Sequence, residues 1–137
     1  MTAALVLQRA LRARLISWPA VTALVPAEAI LDCHQRPAPD PSIILGEDQE
    51  IMGGDIRRLQ TRVYATLHLW KREPSTEGVK EIAGAIRAAL HSGRPALGPD
   101  WHCVDCWVGA TRFLRDPDGE TSHGVVTVEA LVKRLAP

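Results

Sequence analysis

The chain is poor in aromatic residues and cysteines, and it carries no excess of charge of either sign. Aromatic residues make up 4% of its 137 residues, so an aliphatic core is expected. Three cysteines are an odd and low number, which fits a reducing compartment better than a disulfide framework. Sixteen basic residues balance sixteen acidic ones, which argues against uniform binding to a nucleic-acid backbone.

Long hydrophobic runs and a secretory pattern at the N-terminus are also absent from the sequence. No apolar run approaches the roughly 18 residues that a membrane-spanning helix needs, so no membrane partner is expected. The apolar residues near the N-terminus are interrupted by arginines such as Arg9 and Arg12. We therefore expect the protein to be cytoplasmic while it assembles.

Sequence motifs for catalysis are missing as well. Gly53 and Gly54 do not belong to a phosphate-binding pattern, and no Gly-x-Ser-x-Gly elbow is present. Ser122 and His123 lie near Asp116 in the sequence, but they flank a turn. We expect them to be polar hairpin residues in water. The chain is thus predicted not to be an enzyme, with no catalytic residue and no cofactor.

Cysteine and histidine residues provide the best candidates for a metal site. Cys33 and His34 lie on an early predicted strand, and His102, Cys103 and Cys106 lie on a late one. These side chains are of the kind that zinc prefers. Residues three apart on a regular strand point to opposite faces, so the two late thiols should not reach one ion. We predict no metal site, and a small zinc- or thiol-dependent enzyme remains as an alternative.

Two amphipathic helices are predicted. Thr2 is a suitable N-cap for a helix that runs to about Ser17, because its hydroxyl can accept from a free amide of the first turn. Ser75 is expected to cap the second helix. Apolar residues recur at helical spacing in both: Ala4, Leu7, Leu11 and Leu15 in the first, and Val79, Ile82, Ile86 and Leu90 in the second.

The remaining pattern predicts strands. Short strands are expected over residues 29–34 and 42–46, followed by a long exposed loop over 47–59. Residues 60–71 alternate between apolar and polar, as a strand with one buried face does. A closing hairpin joins strands over 101–115 and 124–135 through the turn 116–119. The predicted fold is a single α+β domain over residues 1–137. Its one mostly antiparallel or mixed sheet carries two main helices on one face.

Charge is distributed unevenly along the chain, and this points to contacts with other proteins. No acidic residue precedes Glu28. Residues 47–55, the acidic stretch, contain four acidic residues and no basic one. Separate patches of opposite charge can complement a neighbouring subunit. Trp70 lies on the polar face of its predicted strand, where a large amphipathic ring favours an interface. The predicted partner interface consists of Arg9, Arg12, Glu47, Asp48, Glu50, Asp55 and Trp70.

The order of these features resembles the tail terminator, or tail completion, proteins of long-tailed phages and gene transfer agents. The helix with leucines every four residues over 7–15 leads to a short turn ending at Val25. The strand 41–46 begins with Pro41 and leads into the acidic stretch. The alternating strand 63–70 precedes the helix 77–90, and the hairpin over 116–119 closes the chain. The match covers nearly the whole sequence.

This resemblance implies a structural role. Members of the family are small α+β domains that form a hexameric ring at the head-proximal end of the tail tube. Such a homo-oligomeric ring would end polymerisation of the tail tube protein and contact the neck or head-completion protein. DNA would pass through its lumen without specific binding. We expect the acidic stretch to dock on the tube, line the lumen or join Arg9 and Arg12 in the subunit contact.

Other functions are compatible with the same sequence. Another neck or head-closure subunit is the nearest alternative, because such proteins also form small rings without catalysis. An antitoxin-like or regulatory binding module would instead form a small, tight complex.

Overall fold

The protein folds around one five-stranded sheet in a computed structural model that describes residues 1–33, 35 and 37–135. Strand order in the sheet is β1-β2-β3-β5-β4, and all neighbours are antiparallel except the pair of β1 and β2. The elements are α1 (Ala3–Ser17), α2 (Pro19–Thr22), a 3-10 turn (Ala27–Ala29), β1 (Ile30–Leu31), β2 (Ser42–Met52), β3 (Gln60–Arg72), α3 (Glu77–His91), β4 (Trp101–Arg115) and β5 (Thr121–Arg134).

The two central strands show why the sheet has one buried face. On β3, every second residue is buried, and its neighbours on the other face are partly exposed. β5 follows the same rule and pairs with β3 without a register shift. The predicted α+β class is therefore confirmed. The buried residues of these two strands are Val63, Ala65, Leu67, Leu69, Val126, Val128, Ala130 and Val132.

Helix α1 covers that face with the predicted apolar stripe. The hydroxyl of Thr2 accepts a hydrogen bond from the backbone N–H of Leu5 at 3.2 Å, as expected for its N-cap. Leu7, Leu11 and Leu15 are fully buried in the core. The helix ends where Pro19 follows Trp18, because a proline disfavours helical geometry in the residue before it.

Helix α3 packs beside α1, but its N-terminus is capped differently from the prediction. The N-cap position is held by Thr76, and the predicted cap Ser75 lies one residue earlier, where its hydroxyl accepts from Glu77 N–H. The carboxylate of Glu73 accepts from the N–H groups of Gly78 and Val79 at 2.7 and 3.1 Å. An acidic side chain from the preceding segment thus satisfies the first turn and complements its partial positive charge.

The prediction of a long loop over residues 47–59 was wrong in its first half. β2 continues to Met52, with a bulge between Leu45 and Asp48, and only residues 53–59 connect it to β3. The polar composition misled the prediction, because this half of β2 lies at the sheet edge and is exposed. The strand predicted over 29–34 shortens to Ile30–Leu31, and His34 lies outside the described residues.

The predicted opposite orientation of Cys103 and Cys106 was also wrong. Both thiols are buried in the core, because a bulge in β4 between Cys103 and Asp105 resets the alternation of the strand. The thiol of Cys103 donates to the carbonyl of Asp105 at 3.3 Å. These cysteines therefore behave as small apolar core residues.

Replacing Leu11 by Ala will lower the free energy of unfolding by about 2–5 kcal/mol, because it leaves a cavity between α1 and the sheet. Urea unfolding followed by circular dichroism measures the change. Leu135→Ala makes the same truncation at an exposed position and should cost less than about 0.5 kcal/mol. Equal losses in both variants would contradict the placement of α1 in the core.

Candidate partner interface

The face of the sheet opposite the two helices carries the side chains most suited to contact other molecules. No helix packs on this face among the described residues, and its side chains are half-buried by their neighbours. Trp70 and Trp107 both lie there, whereas Trp18 and Trp101 pack against the core. The guanidinium of Arg62 lies 6.0 Å from the Trp107 ring.

A cluster of aromatic and ionisable side chains spans three strands of this open face. Nδ1 of His68 lies 2.9 Å from Nε2 of His123, and Nε2 of His68 lies 2.7 Å from Oε1 of Glu47. The His123 ring stacks on Trp70, with ring centroids 3.9 Å apart and 6° between the planes. Gly46 leaves room for the His68 ring, since a Cβ at that position would lie 2.7 Å from His68 Cδ2.

The environment of His123 disfavours the protonated form of its imidazole. Nitrogens 2.9 Å apart share one proton, so His123 Nε2–H donates to His68 Nδ1 when His68 donates its Nε2 proton to Glu47. Desolvation and then the neighbouring His68 lower the pKa of His123. The hydrogen bond with His68 lowers the pKa of Glu47. The cluster is therefore most stable above the ordinary histidine pKa of 6.5.

An open cleft of about 460 Å³ adjoins this cluster. Its walls are both apolar and polar, and they include Ile44, Trp70 and the exposed thiol Cys33. No three histidine, cysteine or acidic side chains within the described ranges are grouped to hold a metal ion. Stacked rings beside an apolar wall are suited to packing against another protein.

The acidic residues predicted for the interface are dispersed, and most of them serve the fold itself. Glu47 joins the histidines of the open face. On the opposite face, the carboxylate of Glu50 accepts from the backbone N–H of Ala4 at 2.8 Å and so caps α1 together with Thr2. Asp55 accepts from the N–H groups of two residues in its own turn, at 2.8 and 3.1 Å.

Asp48 differs from the other three acids. Its exposed carboxylate makes no hydrogen bond or ion pair to any residue that the structure describes. Desolvation, followed by the charges of Glu47 and Glu50, raises the pKa of Asp48. A cation supplied from outside the subunit would offset the repulsion by these two charges.

The two predicted arginines of α1 also separate in the structure. Arg12 is half-buried and donates from Nε to the carbonyl of Ile30 at 3.0 Å, so it fixes α1 to β1. Arg9 is exposed, and its closest polar contact is the sulfur of Met1 at 3.8 Å. Arg9 is therefore available to a partner, and Arg12 is committed to the fold.

The expectation that Ser122 and His123 lie in water was wrong. Ser122 is fully buried; its hydroxyl donates to the carbonyl of Ser75 at 2.7 Å and accepts from Arg115 at 3.0 Å. The side chain of Arg115 also bonds the carbonyl of Glu73 at 2.8 Å. These contacts attach the start of α3 to the closing hairpin and form no nucleophile–base pair.

Two residues of the open-face cluster were missed by the sequence prediction. His68 stands two positions before Trp70, so the alternation of β3 already placed both on one face. His123 is 55 residues away from His68 in the chain, and only the register of β3 with β5 brings it opposite Trp70. A single sequence contains no signal for that register.

Comparison with known protein families bears on this architecture. The family model of the tail completion protein gp17 matches residues 9–133. This chain belongs to that family. It is thus a structural component of a phage-type tail and not an enzyme. Among curated protein sequences, none matches it significantly.

Solved structures of related particles share the fold of this tail completion protein. A chain in the virion of a native gene transfer agent particle has a TM-score of 0.82 at 19% identity, covering 93% of this chain and 94% of that one. The gp17 protein of bacteriophage SPP1 has a TM-score of 0.62 at 18% identity, covering 98% and 94%. None of the described helices has the length and apolar character to cross a membrane.

Replacing Glu50 by Ala will destabilise the protein by about 0.5–2 kcal/mol, because α1 loses an acceptor and a favourable charge at its N-terminus. Chemical denaturation measures the loss. The exposed neighbour Gln49 provides the control, since Gln49→Ala removes a side chain on the opposite face of β2. A Glu50→Ala variant as stable as Gln49→Ala would show that the contact does not cap the helix.

Stability will fall as the pH is lowered from about 7.5 through 6.5, because the unfolded chain takes up a proton at the ordinary histidine pKa before folded His123 does. Glu47 adds a loss further down, as the pH falls from 4.5 through its lowered pKa. Thermal unfolding across this range measures both effects.

His123→Gln should flatten the upper part of that pH dependence. His102→Gln, which removes an exposed imidazole outside the cluster, should leave it as in the wild type. A pH dependence that is the same in all three proteins would contradict the assigned role of His123.

Proposed function

We propose that this protein forms a homo-oligomeric ring, with six copies as its family resemblance implies, at the head-proximal end of the tail tube. The ring ends polymerisation of the tube and joins it to the neck or head-completion protein. The family match over residues 9–133 carries this proposal. The likeness along most of both chains to a component of the gene transfer agent virion supports it.

The charge of the chain is compatible with a passage for DNA. A lumen that conducts DNA must not hold it, and a formal net charge of zero gives no strong attraction for phosphates. Subunits that assemble in the cytoplasm and then remain in the tail or neck would need protein contacts instead of a nucleic-acid site.

The protein contacts of the ring would involve residues that make few contacts within their own subunit. Trp70 and Glu47 are part of the open-face cluster, while Asp48 and Arg9 carry exposed charges that meet no group of opposite charge in the described part of the chain. We assign these four residues to surfaces that face other subunits, the tube or the neck. Aromatic rings and arginines are enriched at such surfaces, and polar groups lie at their rims.

Deleting the gene from the genome that encodes the phage-like particle tests the proposal directly. Negative-stain electron microscopy should show tails of abnormal length without heads, beside DNA-filled heads without tails. Complementation with the wild-type gene provides the control and should restore joined particles. Normal joined particles in the deletion would contradict the proposed function.

The same images separate the tail terminator from a head-closure subunit. Loss of a head-closure subunit should leave tails of normal length and heads that release their DNA. Tails of uniform, normal length in the deletion strain would therefore assign the protein to the head side of the joint.

A further inference from the structure

The sheet has two outer edges, and one of them is nearly uncovered. β1 pairs with β2 only at Ile43 and Ile44. Beyond the bulge, β2 has β3 on one side and no strand on the other within the described residues. Two apolar side chains of this segment, Ile51 and Met52, are 44% and 55% exposed. A free edge of this length readily pairs with another strand.

The backbone groups that face outward on β2 follow from its ladder. Gly53 N–H donates to the carbonyl of Gln60 at 2.9 Å, so Gly53 points its polar groups toward β3. Hydrogen-bonded and non-hydrogen-bonded positions alternate in an antiparallel pair. Asp48, Glu50 and Met52 therefore direct their N–H and C=O groups away from β3. Their side chains lie on the helix-covered face, opposite Ala65 and its alternate neighbours.

The other edge, β4, is protected in its middle and free near its end. His91 of α3 accepts from the N–H of Val108 at 3.0 Å, and bulges interrupt the strand on both sides of this position. Asp116 N–H donates to the carbonyl of Thr121 at 2.8 Å. Asp116 therefore points its N–H toward β5, and hydrogen-bonded positions alternate along β4 as they do along β2. Residues 111, 113 and 115 thus direct their N–H and C=O groups away from β5.

These two free segments match in direction. β2 is antiparallel to β3, β3 to β5, and β5 to β4, so β2 and β4 run in opposite directions. Rotating a second copy about an axis parallel to the strands leaves the direction of each of its strands unchanged. Copies related in this way would bring β2 of one subunit antiparallel to β4 of the next, which is the commoner strand pairing.

Charge favours the same pairing. A groove of about 250 Å³ lies between α3 and the free part of β4, and Lys80 and Arg87 line it together with Ala83, Gly84, Thr111 and Phe113. The ammonium of Lys80 lies 5.8 Å from the Phe113 ring. A strand added to β4 would place its helix-face side chains beside this groove. On β2 those side chains are Asp48, Glu50 and Met52, two acids and one apolar residue.

We propose that the free edge of β2, residues 48–52, pairs antiparallel with residues 111–115 of β4 in a second copy of this chain. The pairing is heterologous, so each copy offers one edge to each neighbour, and copies related by a rotation that closes form a ring. This inference rests on the proposed ring and specifies its subunit contact. Asp48 faces Lys80 of the neighbour, because Glu50 is already engaged with α1 of its own subunit.

A charge exchange between Asp48 and Lys80 tests the contact in assembled particles. Full-length variants are supplied to the deletion strain, and joined particles are counted. Asp48→Lys and Lys80→Glu should each reduce the number about tenfold or more, because each places like charges together. The double variant should return to near the wild-type number. A double variant no better than either single variant, or single variants without effect, would overturn the proposal.

A second comparison tests the backbone hydrogen bonds. Met52→Pro removes an outward N–H at the free edge, whereas Met52→Ala shortens the side chain and keeps that N–H. The proline variant should melt at the same temperature as the alanine variant but give about tenfold fewer joined particles. Equal particle numbers from the two variants would contradict edge pairing.

The outcomes distinguish the two proposals. Loss of joined particles in the deletion strain, with no response to these variants, would overturn the edge pairing and keep the tail terminator function. Normal particles in the deletion strain would overturn both.

Discussion

The pairing of β3 with strands on both sides is the constraint on which the rest of this structure depends. Its alternating side chains separate the sheet into an aliphatic face and a polar one. α1 and α3 cover the first face, since only there can their leucines and isoleucines leave water. The open face of the sheet and its two edge strands, β2 and β4, are left to contact other proteins. These three surfaces differ in their side chains and exposed backbone groups.

Much of the charge in this sequence stabilises the subunit and does not recognise a partner. Glu50 and Glu73 cap the two helices, Asp55 closes a turn, and Arg12 and Arg115 bond backbone carbonyls. Groups of this kind satisfy backbone atoms that would otherwise be unpaired. The surface available for assembly is therefore smaller than the acidic stretch suggests, and Asp48 is the member of that stretch that lacks a partner among the described residues.

Local patterns in the sequence predicted the helices and the long strands, because periodicity reports which side chains are buried. Thr2 as a cap and the stripe of Leu7, Leu11 and Leu15 are examples. Features that depend on pairing with a distant strand could not be predicted from the sequence. They are the extension of β2 to Met52 and the contact of His68 with His123. The bulge that buries Cys106 beside Cys103 was missed because it shifts alternation by one residue without a glycine to mark it.

Cryo-electron microscopy of the neck in intact particles would locate this protein and count its copies. We expect six copies of this chain in one closed ring at the head-proximal end of the tube, around a lumen that contains or admits DNA. Copies distributed along the tube, placed inside the head, or absent from finished particles would contradict it.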